Sequence, residues 1–222
     1  MKDCVTAAVI GLGRIGRTHA EILVSRVGSV RVKYAADAFL NEEMKKWAKE
    51  LGIKGVTDDP EICLQDPEVD AVYICTSTDT HSEYITRAAK AGKHIFSEKP
   101  LDSDLVRLSG ALREAEKAGV KFQTGFMRRF DRNHSKAKAL IRSGKVGRGQ
   151  MIRLSCRDTV QSPYEYLKVS GGIFFDMMIH DFDMVRFLTD SEAEEIYAAG
   201  GVFTDERLND IPDVDTAAAS CA

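Results

Sequence analysis

The chain has 222 residues, of which 44% are hydrophobic and 29% charged, and a formal charge of −3. That length can bury the core of one large domain or two modest ones, and the composition is that of a globular protein. Near-balanced charge gives no footing for nucleic acid or an anionic membrane, and no apolar run approaches the roughly 20 residues of a bilayer span, so neither partner is expected.

The start, Met1-Lys2-Asp3-Cys4-Val5, leads straight into a strand-like run. It is read as lacking a signal-peptide core and a cleavage site. The five cysteines (4, 63, 75, 156 and 221) have neither metal-ligand nor redox spacing. Reduced thiols in a cytoplasmic protein are expected, with no metal.

In chain order, Val5–Ile10 is a short apolar run and 14–24 is helix-like. Val30–Ala36 is strand-like and 42–51 helical. Residues 71–75 form a buried strand, followed by a helix over 81–91. His94–Ser97 is a strand, 103–118 a helix and 121–125 a further strand. Strands alternating with amphipathic helices predict a parallel, doubly wound α/β sheet covered on both faces. The pattern then changes. Residues 133–143 look helical, 145–149 a turn, and 150–157 a strand exposed on one face. Residues 172–188 predict one long helix and 195–203 a strand. The expected organisation is a Rossmann domain over 1–125 and an incomplete α+β open-sheet domain over 126–222. The alanine-rich ending 217–222 is the one low-complexity tract in the chain.

Gly11-Leu12-Gly13-Arg14-Ile15-Gly16 fits the G-x-G-x-x-G pattern. It follows a strand, opens a helix, and has an acid, Asp37, 21 residues past Gly16. Gly11 would permit the tight turn, Gly13 the approach of a pyrophosphate, and Gly16 the close packing of helix on strand. The helix from Arg14 and Ile15 would aim its free N–H groups at the phosphates. Asp37 ends a strand, could accept from both ribose hydroxyls, and would repel a 2′-phosphate. NAD is therefore the expected cofactor. Thr76, Ser77, Thr78 and His81 follow the 71–75 strand at the carboxyl edge of the sheet. There small hydroxyl residues admit nicotinamide or ribose, or simply cap the next helix.

Glu98-Lys99-Pro100 lies at the same edge. Oxidising an alcohol removes a hydroxyl proton as hydride leaves the carbon, and a cation beside that oxygen stabilises the developing alkoxide. Lys99 can supply that cation. Glu98 could hold its ammonium or touch the cofactor ribose, and the bond to Pro100 is a candidate cis peptide. Asp176 and His180 stand four apart in an apolar helical segment and share a face. His is the usual proton acceptor near neutral pH, and Asp176 could orient substrate or hold the lysine. Two other readings are that the pair only satisfies itself in a core, or that Asp176, His180 and Asp183 present metal ligands from one helix.

These motifs together resemble the Gfo/Idh/MocA oxidoreductases, within which the inositol 2-dehydrogenases are most similar. The likeness rests on Glu98-Lys99-Pro100, Gly125-Phe126-Met127-Arg128-Arg129-Phe130-Asp131, Ser155-Cys156-Arg157-Asp158, the 166–172 loop, and the helix Asp176 to Met184. The resemblance implies NAD-dependent oxidation of a ring hydroxyl of myo-inositol, or of a related polyol or sugar, to a ketone. Lys99, Asp176 and His180 would be catalytic, with His180 the general base. Arg128 and Asp158 would lie near substrate hydroxyls. Some inositol dehydrogenases carry H-R-N where this chain has Cys156-Arg157-Asp158. The resemblance also implies a cytoplasmic homotetramer when full length, with members about half as long again. From this the second domain is expected to stop before completion and the chain to be poorly active. The alternatives are a dehydrogenase of glucose, an aldose or a sugar nucleotide, or a non-catalytic NAD-binding fragment.

Overall fold

The computed structural model describes residues 4–222 and divides into two compact units that meet in sequence at Gly125 and Phe126. In the first, β1 (Val5–Ile10), β2 (Val30–Ala36), β3 (Gly55–Thr57), β4 (Ala71–Ile74), β5 (His94–Ser97) and β6 (Phe122–Thr124) form one sheet of order β3-β2-β1-β4-β5-β6. Every pairing is parallel. The expected doubly wound sheet is present, with helices α1 (Arg14–Arg26), α2 (Glu42–Glu50), α3 (Pro60–Gln65), α4 (Thr78–Lys90) and α5 (Leu105–Lys117) between its strands.

Alternation along the central strand explains why both faces are covered. Ala8 and Ile10 of β1 enter one apolar cluster with Val72, Ile74, Ile85 and Ile95. Val9, between them, enters the other with Leu23, Ala35 and Ala48. Successive side chains in a strand point to opposite faces, so a run buried on both sides reads as continuously apolar. The chain leaves β1 toward β2 and later returns to β4 on the other side of β1. This reversal opens a crevice at the carboxyl ends of β1 and β4, the usual ligand position in such sheets.

Two short elements, β3 and α3, were absent from the sequence reading. Pro60 occupies the first turn of α3, and the Asp59 side chain accepts from the Glu61 N–H at 2.9 Å. That start signal fits the rules for helix N-termini, but six residues are too few to show a period. Helix α4 begins three residues earlier than expected, at Thr78.

The second unit contains α6 (Arg132–Arg142), the short α7 (Tyr164–Leu167), α8 (Ile179–Thr189), and an antiparallel pair, β7 (Ile196–Gly201) with β8 (Thr216–Cys221). Two expectations are corrected. Residues 150–157 are not a strand. Alternation supplies a face, but a strand also needs a partner for its N–H and C=O groups, and among the described residues β7 and β8 pair only with each other. The alanine-rich ending carries β8, paired with β7 in register from Ile196↔Cys221 to Gly201↔Thr216. Residues 172–188 are not one uniform helix. Phe174–Met178 forms a π turn ahead of α8.

A cap carried from far along the chain fixes the start of that helical segment. Gly171 and Gly172 have φ of 86° and 83°, a region that L side chains rarely enter. Asp213 Oδ1 accepts from the Ile173 and Val214 N–H groups, both at 2.8 Å. A Cβ on Gly172 would stand 2.9 Å from that same oxygen.

Two measurements check this account. Ile74→Ala in the central sheet should lower unfolding free energy by about 3 kcal/mol in urea titrations, since the side chain is fully buried. A loss under about 1 kcal/mol would place it outside the core. The second concerns pH. Lys33 Nζ lies 2.5 Å from Asp66, and the Glu68 N–H and Tyr34 hydroxyl donate to it at 2.8 Å. Chiefly through Lys33, this carboxyl is held down at about 2. Its unfolded value is about 3.9, so its stabilisation is complete above that and is lost as pH falls toward 2. Asp66→Asn should therefore flatten the fall in urea midpoint between about pH 4 and 2.5; a parental slope would contradict the assignment.

Candidate functional site

Within the first unit, expected cofactor residues converge at the β1–β4 crevice. The three glycines of the turn differ in physical reason. Gly11 has φ +94°, and a Cβ there would lie 2.5 Å from the Cys75 carbonyl carbon and oxygen. A Cβ on Gly16 would collide with the Gly11 carbonyl oxygen and press on the Cys75 side chain. Protein packing thus accounts for both. It does not account for Gly13, whose φ is −65° and whose Cβ would meet nothing within 4 Å. Its bare backbone faces open space at the N-terminus of α1, which has no side-chain cap and no acid in its first turn. Uncapped N–H groups and the positive dipole end suit an anion there.

Asp37 stands at the turn. The Leu12 N–H donates to its Oδ2 at 2.6 Å and the Phe39 N–H to its Oδ1 at 2.8 Å. Each oxygen keeps acceptor capacity for a ribose hydroxyl. Arg14 is exposed, while Ile15 is half-buried and packs on the Val9–Leu12 cluster. One contributor was missed: Arg17 Nε donates to the Leu12 carbonyl at 3.0 Å and bridges to Glu43 at 2.8 Å, stiffening the turn from one helical turn away.

The hydroxyl loop after β4 departs from expectation in detail. Ser77 occupies the N-cap position of α4 but makes no side-chain cap bond, and Thr78 is the first helical residue. The Thr80 hydroxyl donates to the Thr76 hydroxyl at 2.7 Å. His81, expected to contact cofactor, is 2% exposed. Its Nδ1 lies 2.7 Å from the Pro100 carbonyl and its Nε2 3.0 Å from the Thr76 carbonyl. Both ring nitrogens face backbone carbonyls, to one of which a neutral ring donates, so His81 sits between the Thr76 loop and the Glu98-Lys99-Pro100 loop.

That loop follows β5, and its Lys99–Pro100 bond is cis. Glu98 was expected to hold the lysine ammonium or touch ribose. Its Oε1 lies 2.7 Å from His19 Nε2, and its Oε2 accepts from the Lys99 backbone N–H at 3.3 Å. His19, on α1, was not foreseen. Two thiols of the first unit are buried. Burial pushes the Cys75 thiol well above its ordinary range, with the Glu98 charge adding to the rise, and pushes Cys63 up to about 12.

In the second unit, Asp176 lies in the π turn and is half-buried. His180, buried at 8% exposure, presents its ring edge-on to Phe126 at a centroid distance of 6.3 Å. A π turn carries about one residue more than an α turn, so two residues four apart stay near one stripe. Such turns in α-helices occur often at functional sites.

Arg128 Nη1 donates to Asp181 at 2.7 Å and Nη2 to Cys156 Sγ at 2.9 Å. Burial works against this guanidinium, yet the sulfur and the carboxylate outweigh it and raise its pKa above the usual arginine value. Arg129 grips Asp183 through both Nε and Nη2 at 2.6–3.1 Å. That carboxylate is thereby committed to Arg129, and among the described residues no group of three or more His, Cys, Asp or Glu side chains is arranged to hold a metal ion. Asp158 is exposed in a segment without regular structure.

A parallel, doubly wound sheet with an open glycine turn and an acid at β2 defines a dinucleotide-binding oxidoreductase domain. Residues 5–126 match the oxidoreductase family with an NAD-binding Rossmann fold, and residues 134–222 match the Gfo/Idh/MocA C-terminal domain. The chain belongs to the Gfo/Idh/MocA family. It is 44% identical over 209 residues to a myo-inositol 2-dehydrogenase of Thermotoga maritima, covering 94% of this chain and 62% of that one. It is 39% identical over 217 residues to a scyllo-inositol 2-dehydrogenase (NAD+) of Bacillus subtilis, covering 98% and 63%. The crystal structure of a probable dehydrogenase from Thermotoga maritima superimposes with a TM-score of 0.94 at 42% identity, over 98% of this chain and 65% of that one. Scyllo-inositol dehydrogenase from Lactobacillus casei, solved with NAD(H) and scyllo-inositol, gives a TM-score of 0.84 at 29% identity, over 98% and 66%. The chain thus spans somewhat under two thirds of the curated relatives' length.

Gly13 separates ligand binding from folding. Gly13→Val should leave the melting temperature within about 3 °C of the parent, because the added atoms meet no protein, and weaken NAD binding about tenfold or more by calorimetry. Undiminished affinity would remove the turn from the cofactor site.

Proposed function

We propose that the chain is the NAD-dependent part of a dehydrogenase that oxidises a ring hydroxyl of an inositol, or of a closely related polyol, to a ketone. The observation that carries this reading is the placement of the Glu98-Lys99-Pro100 loop. A lysine whose backbone N–H meets the Glu98 carboxylate, with His19 on that carboxylate and His81 at the Pro100 carbonyl, stands at the same carboxyl sheet edge as an open glycine turn. The names of the inositol dehydrogenase relatives support the substrate class.

Nicotinamide supplies the hydride acceptor when bound. Gly13 and the α1 N-terminus would hold its pyrophosphate and Asp37 the adenosine ribose, while Thr76, Ser77 and Thr78 border the approach. Lys99 places its ammonium beside the reacting oxygen and stabilises the charge that develops there. His180 takes the hydroxyl proton at a ring nitrogen, and Asp176 orients the hydroxyl group. Arg128, itself oriented by Asp181 and Cys156, and Asp158 bind further ring hydroxyls. We also assign the protein to the cytoplasm, as a homotetramer; reduced cysteines support the first, and among the described residues no helix is long and apolar enough to cross a membrane.

A screen of inositols, glucose, aldoses and sugar nucleotides, following absorbance of reduced cofactor, tests the reading. Turnover is expected with myo- or scyllo-inositol; turnover only with a sugar nucleotide would overturn the substrate class. Lys99→Ala should reduce kcat by about a thousandfold while leaving the NAD dissociation constant within about twofold. Equal loss of binding and turnover would count against its role.

A further inference from the structure

His19 lies on α1, one turn past the last glycine of the turn, and its ring is half-buried against the sheet. It packs edge-on against Phe96 of β5 at 4.9 Å between centroids, with Tyr73 of β4 at 6.0 Å. A histidine wedged among aromatic rings on an inward helix face could be simple packing. Its polar end has a definite target, however. Nε2 is 2.7 Å from Glu98 Oε1, and a carboxylate offers only acceptors, so Nε2 carries the hydrogen. Both side chains are largely withdrawn from solvent, at 22% and 13% exposure, where such a contact holds geometry better than a surface pair does.

The rest of the Glu98 environment shows what is being held. Its second oxygen accepts the Lys99 backbone N–H at 3.3 Å. The carboxylate also lies so close to Gly125 that a Cβ there would stand 2.9 Å from it. The chain at the end of β6 is therefore kept bare where Glu98 must reach. One carboxylate thus receives a side chain from α1 and a backbone N–H from the loop after β5, across space cleared beyond β6.

We propose that His19 is a positioning residue for the reaction. It fixes the Glu98 carboxylate, and through that carboxylate the backbone of Lys99, so that the helix whose N-terminus faces the dinucleotide also sets where the ammonium stands. Glu98 is then the middle link of this chain. The inference rests on the reading of Lys99 as the catalytic cation, and it explains why a polar side chain occupies that face of α1.

The test uses the full chain with His19→Leu, which keeps apolar packing but removes the donor, and His19→Gln, which restores an N–H near the Nε2 position. Two readouts are taken: the ¹H–¹⁵N amide signal of Lys99, and kcat against KM for NAD with the best polyol. His19→Leu should move the Lys99 amide signal and lower kcat about tenfold to a hundredfold, with KM for NAD within about twofold. His19→Gln should return both toward the parent. Glu98→Ala should shift the Lys99 amide as His19→Leu does, and the double variant should add little beyond either single change. An unmoved Lys99 signal with unchanged kcat in His19→Leu, a glutamine variant no better than leucine, or additive shifts in the double variant would overturn the proposal. If the parent turns over no polyol or sugar, the proposed function fails, while the amide signals still decide the link from His19 to Lys99.

Discussion

The first unit depends on how closely three backbones approach at the ends of β1 and β4. Gly11 has no room for a Cβ against the Cys75–Thr76 peptide, and Gly16 has none against the Gly11 carbonyl. Those contacts bring the start of α1 down onto the sheet edge. Once α1 is seated there, its uncapped N-terminus faces outward beside Gly13, and His19, one turn on, falls within reach of Glu98. Asp37 completes the arrangement by accepting from the Leu12 N–H, so the acid expected to meet a ribose also holds the turn expected to meet the phosphates. A single steric constraint thus seats the glycine turn, Asp37 and the loop after β5 together. Larger residues at 11 or 16 should disturb all three at once, whereas position 13 faces only open space.

This part of the molecule was legible in the sequence because its signals are local and dense. β1, β2 and β5 lie where the apolar runs place them, and the glycine spacing announces the turn. What escaped notice was of two kinds. β3 and α3 are too short to display a period, although Asp59 and Pro60 carry a recognisable start signal. His19 carries no signal of role, and His81 carries only its place at the sheet edge. A histidine at helical spacing reads the same whether it binds a cofactor, fills a core or fastens two loops, and only the partners distinguish these. His81 was expected at a ligand and is occupied on both sides by carbonyls; His19 drew no expectation and touches the residue next to Lys99.

The second unit was less legible for a physical reason. Its order rests on pairings distant in sequence: Arg128 with Asp181, Arg129 with Asp183, Asp213 with the Ile173 N–H. Such links leave no periodic trace. The sequence pattern over 172–188 correctly marks a helical, apolar segment but cannot show a π turn, since hydrophobic spacing hardly distinguishes one inserted residue. The 150–157 segment shows the opposite error: it has strand alternation without a ladder partner.

The two arginines following Phe126 show how this unit divides its charges. Arg129 is spent on structure: both arms meet the nearly buried Asp183, and its guanidinium lies 5.5 Å from the Phe187 ring centre. Arg128 is held more lightly, by one carboxylate oxygen and one thiol sulfur, and sulfur is a weak acceptor. It therefore meets its carboxylate through one N–H where Arg129 uses two groups, although the surroundings raise the pKa of both. On the proposed reading this difference is functional. A guanidinium that must bind a polyol hydroxyl needs orientation without saturation, and a cysteine at 156 gives that more readily than a second carboxylate would. A histidine at 156, as in some inositol dehydrogenases, would add its own polar contact to the pocket. On that reading a thiol at 156 would offer no such contact and would leave Arg128 and Asp158 as the polar groups presented on this side, whichever polyol is bound.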